Sequence, residues 1–75
     1  MSGGTTRRTL RIAGMHCASC AMAIDLELEE LPGVAETRTS FARATTEVAY
    51  DPSRVSLDAV IAAIGVAGYK AQPVA

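Results

Sequence analysis

The sequence predicts an α+β domain in which two helices cover one face of a four-stranded antiparallel sheet. Three observations support this prediction: short segments with alternating apolar residues, two segments with helical apolar spacing, and a segment order of β-α-β-β-α-β. The chain has 75 residues, which is enough for one small domain with a compact core. Each predicted helix has one apolar stripe, so a single sheet that carries both helices buries both stripes.

The first strand and the first helix are separated by a glycine. In the segment TLRIAG, Leu10 and Ile12 alternate with polar or small residues, as in a half-buried strand that ends at Gly14. From residue 18 to residue 31 the apolar spacing changes to three and four, which predicts a helix that the following Pro-Gly pair ends. The buried stripe of this helix is expected to be Ala21, Ile24, Leu28 and Leu31.

A hairpin and a second helix follow. Residues 34–40 and 45–50 are rich in β-branched side chains and are joined by a few residues, which predicts two paired strands. Ser56 is a suitable N-cap for the second helix, and Asp58 in the first turn interacts favourably with the helix dipole. One of the two glycines within residues 65–68 is expected to end this helix. Its apolar stripe is Leu57, Val60, Ile61 and Ile64.

The last segment, YKAQPV at residues 69–74, is predicted to form an edge strand, where Pro73 is tolerated. With this strand, the order of elements is that of the ferredoxin-like fold, a βαββαβ sandwich. The order places the loop between the first strand and the first helix at one end of the domain, exposed to solvent.

Composition and charge argue against several classes of protein. Hydrophobic residues make up 49% of the chain and charged residues 20%, as in a soluble folded domain rather than a disordered segment. No segment is long enough to span a bilayer, so this segment is not expected to contact a membrane. With a net charge of -1, no basic stripe and three aromatic residues, the chain is not expected to bind nucleic acid.

The amino-terminal residues MSGGTTRR have no apolar run after their arginines. Because a secretory signal needs such a run, we expect a cytoplasmic location in which thiols stay reduced. Residues 1–5 are predicted to form a flexible tail and residues 6–75 the folded domain.

The segment GMHCASC, at residues 14–20, contains both cysteines of the chain, Cys17 and Cys20. A structural disulfide between them would close a very small loop and add little stability. A thiol-disulfide oxidoreductase uses the same spacing, but the chain has no Trp and lacks the larger βαβ framework of such enzymes. A closed structural zinc site needs four ligands, and the chain offers two cysteines and one histidine.

A soft monovalent ion fits the pair better. Cu(I) selects thiolates over oxygen and nitrogen ligands and is satisfied by few ligands, so Cys17 and Cys20 suffice as a complete site. Cys20 is predicted to lie in the first turn of the helix, where the helix dipole stabilises a thiolate. A two-coordinate ion on an exposed loop stays open to a third thiolate, which predicts transfer between proteins by ligand exchange.

The motif GMHCASC, the run A-x-x-I-x-x-x-L-x-x-L-PGV, and the segments YDP and AGY together resemble the heavy-metal-associated domain family. The resemblance covers about residues 8–73. The family includes copper chaperones and the amino-terminal domains of copper-transporting P-type ATPases. The resemblance implies a ferredoxin-like fold that binds Cu(I) through Cys17 and Cys20.

Three further residues near the motif have two interpretations each. Met15 is a thioether ligand or, as the resemblance implies, a loop anchor packed into the core. His16 is a weak third ligand and charge modulator, or an exposed polar residue. Tyr69 matches an aromatic residue that shields the sulfurs in bacterial relatives, or it is a residue at the core boundary.

The first helix also carries four carboxylates and no Lys or Arg: Asp25, Glu27, Glu29 and Glu30. Such a run is a solvated face or a docking surface for a basic partner. An outward apolar line, Ala18, Met22 and Leu26, begins at the cysteines and is a second candidate contact surface. Thr37 and Thr39 stand where relatives usually have valines, which predicts a weaker edge at the second strand.

We therefore predict a Cu(I)-binding module without catalysis of its own, which accepts and transfers copper by thiolate exchange. The amino-terminal domain of a copper-transporting P-type ATPase is favoured over a stand-alone cytosolic copper chaperone. A zinc or mercury carrier and a thiol-disulfide oxidoreductase are less favoured. The expected partner is a copper chaperone or an ATPase domain that docks on the metal loop and first helix, and a metal-bridged dimer stays open.

Overall fold

The computed structural model describes residues 4–74 and contains the six predicted elements in the predicted order. The strands are β1 (Thr6–Ala13), β2 (Val34–Ser40), β3 (Thr45–Tyr50) and β4 (Lys70–Pro73), and the helices are α1 (Ala18–Glu29) and α2 (Leu57–Val66). Residues 1–3 of the predicted tail and residue 75 of the predicted domain lie outside the described residues. No helix between residues 4 and 74 is long and apolar enough to cross a membrane.

The four strands form one sheet in the order β2-β3-β1-β4, and all neighbouring strands are antiparallel. In the centre of this sheet, Leu10 of β1 lies opposite Thr46 of β3 on one side and opposite Pro73 of β4 on the other. Because β4 is an edge strand, its proline is tolerated as predicted. The ferredoxin-like arrangement is confirmed, with both helices on one face of the sheet.

The core lies between the sheet and the two helices. Its fully buried apolar side chains come from β1, α1, β3 and α2: Leu10, Ile24, Leu28, Val48, Val60 and Ile64. Both predicted helical stripes therefore face the sheet, and Leu31, Leu57 and Ile61 lie half-buried at the margin. Burial of each large aliphatic side chain contributes about 1.5–3 kcal/mol, so this core is the main source of stability.

Some element boundaries differ from the predictions. β1 begins at Thr6, which pairs with Tyr50 of β3. The backbone pairing with β3 continues through residues 6–9, where polar side chains hide the alternation of apolar and polar residues. α1 ends at Glu29, slightly before the predicted Pro-Gly stop. α2 continues through Gly65, and Gly68 follows its C-cap with a φ of 102°, a left-handed conformation that favours glycine.

A polar cluster joins α1 to the sheet. One carboxylate oxygen of Asp25 accepts hydrogen bonds from the hydroxyls of Thr37 (3.0 Å) and Thr39 (2.6 Å) on β2. The Thr39 hydroxyl also lies 3.0 Å from that of Thr46, which is fully buried. We call these four residues the Asp25–threonine cluster. Thr37 and Thr39 stand on the helix-facing side of β2, where valines were expected. Each hydroxyl of the cluster has a hydrogen-bond partner, so these threonines leave no polar group unsatisfied.

Candidate metal centre

The two cysteines lie where β1 passes into α1. Cys17 is the N-cap of α1, with extended backbone (φ -159°, ψ 165°), and Cys20 is the third residue of the helix. The loop between strand and helix begins at Gly14, whose φ of 100° is in the left-handed region. A Cβ atom at Gly14 would lie 3.6 Å from the ring of Tyr69, so the ring packs close to the start of the loop.

The two sulfurs converge without being bonded. The Sγ atoms of Cys17 and Cys20 are 3.3 Å apart, whereas a disulfide bond is about 2.05 Å long. Both cysteines are free, and Cys17 is exposed while Cys20 is half-buried. Cys20 lies in the first helical turn, as predicted, and the two sulfurs are a candidate pair of metal ligands.

A third side chain, Ser19, contacts the pair. Its hydroxyl oxygen lies 3.0 Å from Cys17 Sγ. Sequence reasoning assigned no role to Ser19. The available signal was its position in the first helical turn, two residues after the N-cap Cys17, because helical side chains point back toward the amino terminus.

Hydrogen bonding lowers the pKa of the Cys20 thiol from its ordinary value of 9.0 to about 6. The largest cause is the side-chain hydrogen bond with Tyr69, followed by a backbone hydrogen bond with His16 and the contact with the Cys17 thiol. The same contact with Cys20 raises the pKa of the Tyr69 phenol. Cys20 is therefore mainly a thiolate at pH 7, which is the form that binds metals.

The start of α1 has no side-chain cap. Cys17 occupies the N-cap position but makes no capping hydrogen bond with its side chain, and the first turn contains no acidic residue. The backbone N–H of Cys20 donates to the Cys17 carbonyl oxygen (3.1 Å), and the positive end of the helix dipole lies beside the sulfurs without a side-chain acceptor. A negatively charged dithiolate is stabilised by this environment.

The other predicted modulators differ in their positions. Met15 is half-buried and packs against the core, whereas His16 is exposed. Among residues 4–74, no group of three or more His, Cys, Asp and Glu side chains is placed to hold a metal ion. Within this part of the chain, the structure brings Cys17, Cys20, Ser19 and Tyr69 together and does not add His16 to a ligand cluster.

The four carboxylates of α1 do not form one uniform surface. Asp25 faces β2 in the Asp25–threonine cluster, and Glu27 is half-buried. Glu29 and Glu30 are exposed at the carboxyl end of the helix, where Glu29 lies about 16 Å along the axis from Ala18. Their predicted role in docking remains a prediction.

The predicted apolar line does lie on the surface. Met22 is 66% exposed and Leu26 is 60% exposed, and Ala18 at the start of the helix is also exposed. These side chains form a strip along α1 that begins beside the sulfurs.

Comparison with known proteins identifies close similarity in sequence. The sequence profile of the heavy-metal-associated domain matches residues 9–70. A protein from Synechococcus elongatus named "probable copper-transporting ATPase PacS" is 42% identical over 89% of this chain, and mercuric reductase from Serratia marcescens is 42% identical over 83% of it. The chain spans 9% and 13% of the lengths of these two proteins.

A solved structure is similar over nearly the same length. The amino-terminal domain of a potential copper-translocating P-type ATPase from Bacillus subtilis, determined in the Cu(I)-loaded state, has a TM-score of 0.88 and 35% identity. The similarity covers 92% of this chain and 86% of that domain.

Proposed function

The chain belongs to the heavy-metal-associated domain family, and we propose that it binds Cu(I) through Cys17 and Cys20 and transfers it by thiolate exchange. The observation that carries this proposal is the pair of sulfurs 3.3 Å apart at an uncapped helix start. Two soft thiolates are a sufficient ligand set for Cu(I) but leave a structural zinc site two ligands short. The Cu(I)-loaded Bacillus subtilis domain supports copper as the cargo.

The two cysteines have different roles in the proposed exchange. Cys20 is half-buried, lies in the helical turn and has a lowered pKa, so it is the fixed thiolate. Cys17 is exposed at the N-cap, where an incoming thiolate from a partner reaches the copper. As a first sulfur of the partner bonds to copper, the bond to Cys17 breaks, and a second sulfur of the partner then displaces Cys20.

The surroundings of the sulfurs keep this exchange reversible. The Tyr69 hydroxyl and the backbone donors of His16 and Cys17 stabilise the free thiolate of Cys20, so releasing copper does not require a proton on this sulfur at neutral pH. Among the described residues, no third His, Cys, Asp or Glu side chain is placed to join the two sulfurs as a ligand. The coordination sphere of the copper therefore stays open. The module holds and releases a cargo ion and has no catalysis of its own.

We further propose that the chain is the cytoplasmic amino-terminal domain of a copper-transporting P-type ATPase. The support is the similarity to PacS over most of this chain but only 9% of PacS. Its partner is then a copper chaperone that docks on the metal loop and α1. Reading the gene beyond Ala75 separates this proposal from a stand-alone chaperone.

An anaerobic titration tests the copper site. The reduced domain competes for Cu(I) against a chromogenic Cu(I) chelator, in parallel with Zn(II) and Hg(II) titrations. We expect one Cu(I) per chain, and loss of at least 100-fold in affinity for both Cys17→Ser and Cys20→Ser. A matched control, Ser53→Ala, changes an exposed residue far from the site and should bind normally.

Three outcomes would overturn the proposal. The first is a reduced domain that ignores Cu(I), and the second is retention of Cu(I) by the double cysteine variant. The third is preferred binding of Hg(II) or Zn(II) when Cu(I) competes directly, which the similarity to mercuric reductase makes worth measuring.

A further inference from the structure

Three segments that are distant in sequence meet at the end of the sheet that carries the cysteines. Lys70 of β4 pairs with Ala13 at the end of β1, and the backbone N–H of Ile12 donates to the carbonyl oxygen of Ala44 in the β2–β3 turn (2.7 Å). The cysteine loop, this turn and the start of β4 therefore share one end of the sheet. We call this the metal end, and define it as residues 11–20, 41–45 and 69–72.

The metal end carries three cations and no carboxylate. The cations are Arg11, Arg43 and Lys70, and all three are exposed. The sequence segments that form the metal end contain no Asp or Glu. Within residues 4–74, none of these three side chains takes part in an ion pair, since the ion pair found there joins Arg7 to Glu36. The three cations outnumber the one anionic thiolate at this end, that of Cys20, so the metal end keeps an excess of positive charge.

The eight carboxylates lie in the middle and at the opposite end: Asp25, Glu27, Glu29, Glu30, Glu36, Glu47, Asp51 and Asp58. Within the sheet, the nearest to the metal end is Glu47, which lines the same surface cavity as Arg43. Glu47 lies directly across from Arg38 on the neighbouring strand, so these two charges offset each other. The metal end thus has three cations and no carboxylate, whereas the rest of the chain has eight carboxylates and four cations, although the net charge is only -1.

We propose that the metal end docks a partner whose own metal site is bordered by carboxylates. This inference rests on the proposed copper transfer, in which the sulfurs of two proteins must meet at Cys17. Opposite charges around the two sites favour that encounter, and like charges oppose it. The exposed carboxylates of Glu29 and Glu30 lie at the other end of α1, so a basic partner held by them is not placed beside the sulfurs.

A charge-inverted copy of this domain is the probe, because it has an acidic metal end on the same fold. The variant carries Arg11→Glu, Arg43→Glu and Lys70→Glu. Copper is loaded onto the variant, and its transfer to isotopically labelled wild-type domain is followed by stopped-flow and NMR. At low salt we expect transfer between wild type and variant to be about tenfold faster than between two wild-type copies. The advantage should disappear at about 0.5 M salt, where charges are screened.

A matched control inverts three cations outside the metal end. Arg7→Glu, Arg8→Glu and Arg54→Glu change the net charge by the same amount, so we expect no comparable acceleration with wild type. Equal acceleration by both triple variants would show a net-charge effect and overturn the proposal. So would faster transfer from a donor with Glu29→Lys and Glu30→Lys, because that result would place docking on the acidic end of α1.

The wild-type domain provides a test that does not depend on folding of the variants. Two positive metal ends repel, so self-exchange of copper between wild-type copies should become faster as salt is added. A rate that is unchanged or falls with salt would contradict the proposal. If the reduced domain binds no Cu(I), the proposed function fails as well. If it binds Cu(I) and the rates ignore charge, this inference alone fails.

Discussion

The two helices pack on the same sheet but begin in different ways. α2 has a complete N-terminal cap: the Ser56 hydroxyl accepts from the backbone N–H of Ala59 (3.1 Å), and Asp58 lies in the first turn. α1 has Cys17 at the equivalent position, without a side-chain capping bond and without an acidic residue in its first turn. One helix start is stabilised by the protein itself, and the other is left open for the charge of a dithiolate.

The contacts of the two helices with the sheet differ as well. α2 buries Val60, Ala63 and Ile64, which are all apolar. α1 buries apolar residues too, but it adds the Asp25–threonine cluster. α2 is therefore held by its own cap and by apolar contacts, whereas α1 has no side-chain cap and is fixed against β2 by directional polar contacts.

The substitution with the largest expected effect on stability removes Asp25 from the Asp25–threonine cluster. Asp25→Ala removes the acceptor shared by Thr37 and Thr39, and should lower the free energy of unfolding by about 2 kcal/mol because hydroxyls lose their partner. Chemical denaturation measures this loss. As control, the substitution is repeated in a background with Thr37→Val, Thr39→Val and Thr46→Val. There the additional cost should fall below about 1 kcal/mol, and an unchanged cost would show that the cluster contributes nothing specific.

The next prediction removes the cap of α2. Ser56→Ala deletes the hydroxyl that accepts from Ala59, and should lower the free energy of unfolding by about 1 kcal/mol. Cu(I) affinity should stay within about twofold of the wild type, because Ser56 lies at the end of the domain opposite the cysteines. Denaturation and the chelator competition together check this. A large loss of copper affinity would mean that the two helix starts are not independent.

The converse prediction gives α1 the cap that it lacks. Cys17→Ser places a favourable N-cap residue before the helix and should raise the stability of the copper-free domain by up to about 1 kcal/mol, while removing tight Cu(I) binding. Opposite changes in stability and binding in one variant are the expected signature, measured by denaturation and chelator competition. If Cys17→Ser instead destabilises the copper-free domain, the prediction is wrong, because the missing side-chain cap of α1 would then not lower its stability.

The smallest effect is a pH dependence centred on Cys20. Because the folded pKa of this thiol is lowered to about 6, the stability it provides is fully present above the unfolded pKa near 9 and is lost as pH falls through 6. Tyr69→Phe removes the largest cause and should raise the pKa of Cys20 and flatten this dependence. Thiol alkylation rates against pH report the change. If the alkylation rate depends on pH in the same way in Tyr69→Phe as in the wild type, the lowered pKa of Cys20 is due to the backbone donors of His16 and Cys17 instead.

Much of the fold was predictable because it depends on local patterns. Helical spacing identified the buried faces of α1 and α2, and Ser56 identified the start of α2. The change to helical apolar spacing at residue 18 predicted a helix that begins at the cysteines, and α1 begins at Ala18 with Cys17 as its N-cap. These signals act over a few residues and are visible in one sequence.

The missed features depend on contacts between distant segments. Asp25 was interpreted with the exposed acids of α1, although two threonines twelve and fourteen residues later supply its hydrogen bonds. Thr37 and Thr39 were noted as unusual, but without the packing of α1 on β2 their partner could not be identified. The contact of Ser19 with Cys17 was missed because it depends on the side-chain rotamers of both residues at the helix start, which the sequence does not define.

The 3.3 Å separation of the two sulfurs also links this site to the redox state of its surroundings. Thiols held this close need only a small movement to form a covalent bond, and the loop backbone already holds them together. An oxidising environment would close the pair into a disulfide and remove both thiolates of the proposed copper site. In the proposed function, the capacity for copper would therefore depend on a supply of reductant.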